Sequence, residues 1–543
     1  MTSSLHLQRA LGTLALLTLA CGGGGKPTGG DPAGSALRTG TAVVAISGDL
    51  SGVNPLLATN RVSRNILQAV FLRLFDEQPD FSEGPPSFEP RLARSWSWSE
   101  DGRRLEIELR RDASWSDGAP VTSADVIWSL DAAVDPDVAW VYSETRERIE
   151  SYRALDEYTV EVRFRNDYPG RLSDLNETPV LPKHVWSRVP FSEWRQSGGW
   201  FRDNLVGSGP FVITSWKANS ELVLEPNPHY YREGYPKLAR VVFQVVPERA
   251  NRLELLLSGQ VDFVSGLRPS AAPRVSASET VALTTYWNPQ YIYIVWNGCE
   301  PPFDDPVVRK AMTLAIDREA LVEAVYGEHA RVAFSPALSD TWVSARELEP
   351  WPWDPEEAKR LLASRGFTDT DGDGLLDRGG RALSVQLSTN PENEMRVDMV
   401  SLIHGQLRDV GVGAEIDLRE FSVLMDDLRK HDFGAGLSSW IVDTTFDLKS
   451  LFHSSAVGAG YNFGCYRNPE VDRLIDLARE QTDLEELRRY LIAIQEAIHR
   501  DQPYTFLAEV QRLSGVNRRL DGVAPNPLET YGALEEWALA RPE

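Results

Sequence analysis

From residue 41 onward, short apolar strand patterns alternate with amphipathic helix patterns, which predicts a mixed α/β fold. TAVVAI at 41–46 is apolar throughout, the mark of a strand buried on both faces. Leu105, Ile107 and Leu109 alternate with charged residues, and Val160, Val162 and Phe164 do the same, so both segments read as half-buried strands. Tyr291, Tyr293, Val295 and Asn297 share one strand face, while Ile292, Ile294 and Trp296 share the other. Val308, Ala311, Met312, Ala315 and Ile316 mark one helix face; Leu484, Leu487, Leu491, Ile494 and Ile498 mark another. Helix starts are written at Asp354-Pro355-Glu356-Glu357 and at Asn468-Pro469-Glu470. Each supplies a capping side chain, a proline at the first helical position and an acid in the first turn.

The segment ahead of residue 41 differs. Arg9 leads into an apolar run over 10–20, Cys21 follows, and Gly22-Gly23-Gly24-Gly25 opens a Gly/Pro/Ser stretch to Gly40. The run is too short to span a bilayer and suits the h-region of a secretory signal. A cysteine directly after Ala20 resembles the lipobox of bacterial lipoproteins, with Thr18 where that pattern usually carries leucine. The expectation is a lipoprotein signal over 1–21 with Cys21 lipidated, then a flexible linker over 22–40. The globule would be held outside the cytoplasm, periplasmic or at the cell surface. An ordinary secretory signal and an uncleaved anchor are the alternatives.

The 543 residues exceed what one core serves, so two or more lobes are expected. Hydrophobic residues at 42% and charged residues at 25% exclude wholesale disorder. The net charge of −23 disfavours nucleic acid and anionic membrane as partners. If Cys21 carries lipid, Cys299 and Cys465 remain, either as a disulfide or as two buried thiols. Asp369, Asp371, Asp373 and Asp377 resemble the first half of a calcium loop, but Gly380 stands where a bidentate glutamate is required. They form a weak calcium candidate beside the simpler reading of a turn. The histidines lack zinc spacing, and Gly207-Ser208-Gly209 lacks the nucleophile-elbow spacing. No catalytic residue and no cofactor are expected.

Four separated blocks carry a resemblance. The first is Pro90-Arg91-Leu92-Ala93-Arg94-Ser95-Trp96 with Trp115-Ser116-Asp117-Gly118-Ala119-Pro120-Val121-Thr122. The second is Val206-Gly207-Ser208-Gly209-Pro210-Phe211 with Asn227-Pro228 and Tyr230-Tyr231. Asn297, Pro302-Phe303-Asp304-Asp305 and Ala315-Ile316-Asp317-Arg318 make the third. Asn462, Tyr466 and Asn468-Pro469-Glu470-Val471-Asp472 make the last. In this order they resemble the extracellular solute-binding proteins of the peptide/nickel family, which serve ABC importers.

The resemblance implies a two-lobed periplasmic-binding-protein type II fold with ligand enclosed between hinged lobes. The first lobe would cover 41–285, with an extra subdomain near 60–200, and be completed by 500–543; the second would cover 286–499. The implied function is capture of peptides by a monomeric lipoprotein for membrane permease subunits. A metal chelate or oligosaccharide is the alternative solute, and His404, His431 and His453 leave nickel or haem capture open. A sensor or an enzyme on the same scaffold is the alternative from another class. Peptide-binding relatives carry Trp-x-x-Asp where this chain has Trp440-Ile441-Val442-Asp443, and their aspartate grips the ligand's α-amine. Asp443 is thus the implied amine anchor. Thr444-Thr445-Phe446-Asp447 departs from the Asp-Pro that often follows. Dipeptide-tuned relatives place an arginine where this chain reads Ser388-Thr389-Asn390-Pro391, and Arg396, on the next helix, is its nearest replacement. Trp287 and Trp440 would wall an apolar pocket; Asn54, Asn297, Tyr461 and Asn462 would offer hydrogen bonds to a peptide backbone.

Overall fold

The computed structural model describes residues 40–540. The expected signal with Cys21, and the expected linker up to residue 39, lie outside the described residues. The buried strand patterns join into one 11-stranded sheet. Its strands are β1 (Thr41–Ile46), β2 (Phe211–Lys217), β3 (Glu221–Pro226), β4 (Arg240–Val245), β5 (Phe263–Ser265), β6 (Val281–Trp296), β7 (Ser384–Thr389), β8 (Gly413–Leu418), β9 (Ala435–Ile441) and β10 (Tyr504–Asn517). They lie in the order β8-β7-β9-β6-β10-β5-β1-β4-β3-β2, with Ala330–Val332 paired onto β10 off this path. The continuous apolar β1 has parallel neighbours on both sides, β4 and β5, as a strand without a polar face requires.

The first lobe is built on β5-β1-β4-β3-β2 and the second on β9-β7-β8, while β6 and β10 belong to both. These two strands pair antiparallel from Val281 opposite Asn517 to Val295 opposite Tyr504, with irregularities between Trp287 and Tyr291 and between Ile292 and Tyr293. The division expected at 285/286 therefore falls inside a continuous strand, and that at 499/500 falls inside helix Leu484–Asp501. The lobes share backbone rather than meeting at a loop.

Alternation along β6 sorts its side chains into two cores. Ile292, Ile294 and Trp296 join the apolar cluster that includes Val308, Ala311 and Met312, whereas Tyr291, Tyr293 and Val295 join the cluster with Leu491, Ile494 and Ile498. Leu484 departs from the expected helix face and is 40% exposed. It is the first helical residue, directly after the Asp483 cap, and its side chain lies ahead of the packed turns. The caps read from sequence form: Asp354 accepts from Glu357 N (2.8 Å), and Asn468 accepts from Glu470 N (2.9 Å).

Between β1 and β2 the chain adds a four-stranded antiparallel sheet, ordered Ala93–Trp98, Arg104–Leu109, Thr159–Phe164, Ile149–Asp156. Its Leu105, Ile107, Val160 and Val162 enter the same apolar cluster as Val44 of β1, so this subdomain is fused to the first lobe. Gly207 and Gly209 bring the start of β2 against the end of helix α1 (Arg61–Leu67). A Cβ on either would lie 2.3 Å from the carbonyl oxygen of Val70 or Ala69. The glycines thus act as fold markers, fixing where α1 sits.

Cys299 and Cys465 form a disulfide that joins two loops of the second lobe across 166 residues of sequence. The C-terminal return is clamped at Glu535, which is 3% exposed. Its carboxylate accepts from Arg91 (3.0 and 2.7 Å), Tyr230 (2.7 Å) and Arg232. Burial alone would raise this carboxyl, but Arg91, Tyr230 and Arg232 together outweigh it and hold the pKa below the usual range. A depressed carboxyl stabilises above its unfolded pKa and loses that contribution as pH falls through the folded value. Glu535→Ala leaves Arg91 without its carboxylate partner, while Arg232 keeps Glu536, and is expected to cost about 3–5 kcal/mol. The check is urea unfolding at neutral pH, and a midpoint equal to that of the native chain would show the clamp to be dispensable.

Candidate functional site

A cavity of about 860 Å³ lies between the lobes, within the ~300–1,000 Å³ typical of ligand pockets. On the first-lobe side, Arg61, Arg64 and Asn65 of α1 and its C-cap Gln68 line it. Their spacing of three, four and seven puts them on one helix face. Glu77 and Asp174 line the same side. Opposite stand the end of β9, the loop that follows it, helix Phe421–Lys430 and Tyr461. Tyr293 and Pro289 form part of the floor.

The loop after β9 is tied down by its own side chains. Val442 N donates to Pro289 O (2.8 Å). Asp443 Oδ1 then accepts three hydrogen bonds, from Thr445 N (3.0 Å), Thr445 Oγ1 (2.8 Å) and Phe446 N (2.9 Å). Its Oδ2 has no partner among the described residues, and the side chain is open to the cavity. Across the cleft, Thr444 Oγ1 donates to Glu77 Oε1 (2.6 Å), which also accepts from Ser173 Oγ (3.1 Å). Asp174, next to Ser173, has one oxygen taken by the Tyr168 hydroxyl (2.6 Å). Asp447 completes the contact between walls by accepting from Arg148 and Arg479, each at 2.9 Å.

Three carboxylates from two lobes thus gather around the Thr444–Ser173 contact. Desolvation is the largest influence on each, and it raises Glu77, Asp443 and Asp174 alike. Asp174 reaches about 7: the Tyr168 hydrogen bond, Arg148 and Arg146 oppose burial, while Asp443 adds to it. Asp443 is water-accessible yet deep among protein atoms, so its carboxylate belongs to a cleft wall and keeps part of its hydration. This arrangement suits a ligand that brings a positive charge.

The structure brings together Asp443, Trp440 and Tyr461 on the cavity wall, with the Trp440 and Tyr461 rings 5.2 Å apart. The other expected ligand residues are placed elsewhere. Asn297 Nδ2 donates to the carbonyls of His431 and Phe433 (2.9 Å each), and its Oδ1 accepts from Cys299 N. Asn462 similarly bonds the carbonyls of His453 and Tyr466, and its Oδ1 accepts from Tyr466 N. Both amides are hydrogen-bonded to loop backbone, and neither residue lies on the cavity wall. Trp287 lies beneath the Arg331 guanidinium (4.0 Å), off the cavity wall. Asn54 accepts from Leu56 N (3.0 Å) and shapes a turn whose Pro55, not Asn54, reaches the cavity.

Arg396 is buried rather than solvated. It donates to Asn390 Oδ1 (2.8 Å) and to Ser439 Oγ, so it braces the cavity floor from behind. Asp369, Asp371 and Asp373 gather on the surface with carboxylate oxygens within 4.8 Å of one another. Asp377 turns away from them, its Oδ2 accepting from Thr370 N and Thr370 Oγ1. Of the three histidines, His431 lies by the disulfide, His453 by Asp472 and Asp476, and His404 on helix Glu394–Asp409. Sequence reasoning missed Glu77, Asp174 and Arg61. Only the folded contact of distant segments singles them out.

The raised Asp174 pKa gives a pH dependence with a defined sign. Between pH about 4 and 7 the folded chain keeps a proton that the unfolded chain has lost, so this group's contribution to stability falls as pH rises. Ligand-free Asp174→Asn is expected to be more stable than the native chain at pH about 8, by at most about 4 kcal/mol, and so to unfold at a higher temperature. The gap should close as pH is lowered toward about 4. Identical melting profiles across that range would overturn the assignment.

The family model for bacterial extracellular solute-binding proteins, family 5 (middle), matches residues 87–462. The chain is 28% identical to the oligopeptide-binding protein AppA of Bacillus subtilis, over 99% of either sequence. The solved structure of AppA with a nonapeptide superposes with a TM-score of 0.81 and 28% identity, covering 92% of this chain and 99% of that one. NikZ of Campylobacter jejuni, solved with Ni(L-His), shares the fold with a TM-score of 0.81 and 24% identity, over 92% of this chain and all of NikZ. With two lobes, a cavity between them and a family match over most of its length, the chain belongs to the bacterial extracellular solute-binding proteins of family 5, which hold a solute rather than transform it.

Proposed function

We propose that this chain captures peptides bearing a free α-amino group and delivers them to the permease of an ABC importer, as a monomer tethered to a membrane by lipid on Cys21. The observation that carries the reading is the half-occupied carboxylate of Asp443. Three donors hold Oδ1 in place, and Oδ2 is left toward the cavity. A buried ammonium needs an ionised acceptor, and such a charge-assisted bond contributes roughly 1.5–3 kcal/mol. An arriving ammonium also offsets the mutual repulsion of Asp443 and Asp174 across the cleft. Ligand contact with both walls favours the closed form over the open one, and the closed form is what a permease would recognise.

The test is retention of peptides from a mixed library on the purified chain, read by mass spectrometry. Peptides with free N-termini should be enriched, and Asp443→Ala should weaken them more than about tenfold. Equal retention of N-acetylated peptides would sink the amine-anchor reading. Retention of a metal chelate or an oligosaccharide in place of peptide would move the solute class. The tether is tested separately, by acyl labelling of a Cys21→Ser variant beside the native chain; label on both would remove Cys21 from the proposal.

A further inference from the structure

Arg61 is charged, deep in the cleft and unmatched by any acid. It lines the cavity from α1, with Arg64 one turn further along the same face. Arg61 Nη2 donates to Asn288 Oδ1 (3.2 Å), a neutral amide on crossing strand β6, and this is its one hydrogen bond among the described residues. The groups that bear on it most are Arg512 and Arg64, both cationic, and the phenols of Tyr286 and Tyr531. Burial first, then Arg512, pushes its pKa down to about 10, so the guanidinium still carries its charge at neutral pH. The Tyr286 hydroxyl beside it is buried with no hydrogen-bond partner among the described residues. Among the described residues this corner of the cleft therefore sets positive charge against neutral acceptors only.

Three other arginines on the same walls meet an acid, whereas Arg429 lies over the Tyr461 ring (5.7 Å) and Arg64 donates to the Tyr142 hydroxyl. Arg73 faces Glu177 at 3.6 Å, and Arg148 and Arg479 share Asp447. The carboxylates around Asp443 are not among the strongest influences on Arg61, nor is Arg61 among theirs. A desolvated cation with no counter-ion is costly to keep. Perturbed groups of this kind gather where a ligand completes them.

We propose that Arg61, assisted by Arg64, is a carboxylate-binding subsite of the cleft, separate from the amine anchor. Asn288 occupies one N–H and leaves the rest of the guanidinium fork for an anionic oxygen pair. The subsite takes a carboxylate of the bound peptide, either the C-terminal one or that of an acidic side chain. This rests on the peptide reading above.

The experiment uses the full chain and a randomised pool of short peptides in three isotopically coded forms: free acid, C-terminal amide, and free acid with glutamine in place of every acidic residue. Retention ratios are read by mass spectrometry for the native chain and for Arg61→Gln. A C-terminal partner predicts that the native chain retains acid over amide by about tenfold or more, and that the ratio falls toward one in Arg61→Gln. A side-chain partner predicts the same pattern for acidic over glutamine peptides. Ratios near one for both comparisons in the native chain, or ratios that survive in Arg61→Gln, would overturn the proposal. If Arg61→Gln fails to fold, Arg61→Lys, which keeps the charge and loses the fork, should lower the ratio in part; an unchanged ratio there overturns it as well. Failure of the peptide reading looks different, because no peptide form is then retained and both proposals fall.

Discussion

β6 and β10 run antiparallel from Val281 opposite Asn517 to Val295 opposite Tyr504, and both lobes are built on that ladder. The two strands are hydrogen-bonded along their shared length, so the two halves of the sheet are joined through this pairing. The irregularities lie between Trp287 and Tyr291 and between Ile292 and Tyr293, beside the cavity residues Pro289 and Tyr293. The ladder also decides which side chains reach the cleft. Tyr293 stacks on Tyr504 at 4.4 Å and forms part of the floor, while Ile292 and Ile294 face the opposite core. One alternating strand thus serves two cores, and Tyr293 of one of them also reaches the cleft floor.

Electrostatics in the cleft follow from the same enclosure. Glu77, Asp174 and Asp443 each have one oxygen held by a neighbouring hydroxyl or amide, which fixes the carboxylate without neutralising it. Removal from water raises all three, and Arg148 is already shared with Asp447. The wall is therefore short of positive charge around Asp443 and short of negative charge around Arg61. A ligand carrying both charges would relieve both deficits, and that is a stronger constraint on its chemistry than cavity size.

Much of the fold was legible in the chain. The continuous apolar β1 has neighbours on both sides, the alternating segments at 105–109 and 160–164 became half-buried strands, and proline-led caps began helices at Asp354 and Asn468. These succeed because periodicity and capping are local physics, set within a few residues. The site was less legible. Asn297 and Asn462 look like ligand donors in sequence, but loop carbonyls claim their amides in the fold. Glu77 and Asp174 sit in segments with no motif, and they matter only because the loop that carries Thr444 arrives from more than two hundred residues later.

By itself, the sequence determined the alternation of strands and helices, the caps at Asp354 and Asn468 and the buried strand at 41–46. Tertiary structure decided which charges face the cleft unpaired. Whether Arg61 meets an acid, or whether Asp443 lies opposite Asp174, depends on distances between segments that the chain brings together only when β6 and β10 close the sheet. Pairing and desolvation are properties of the assembled interior, and no spacing along the chain encodes them.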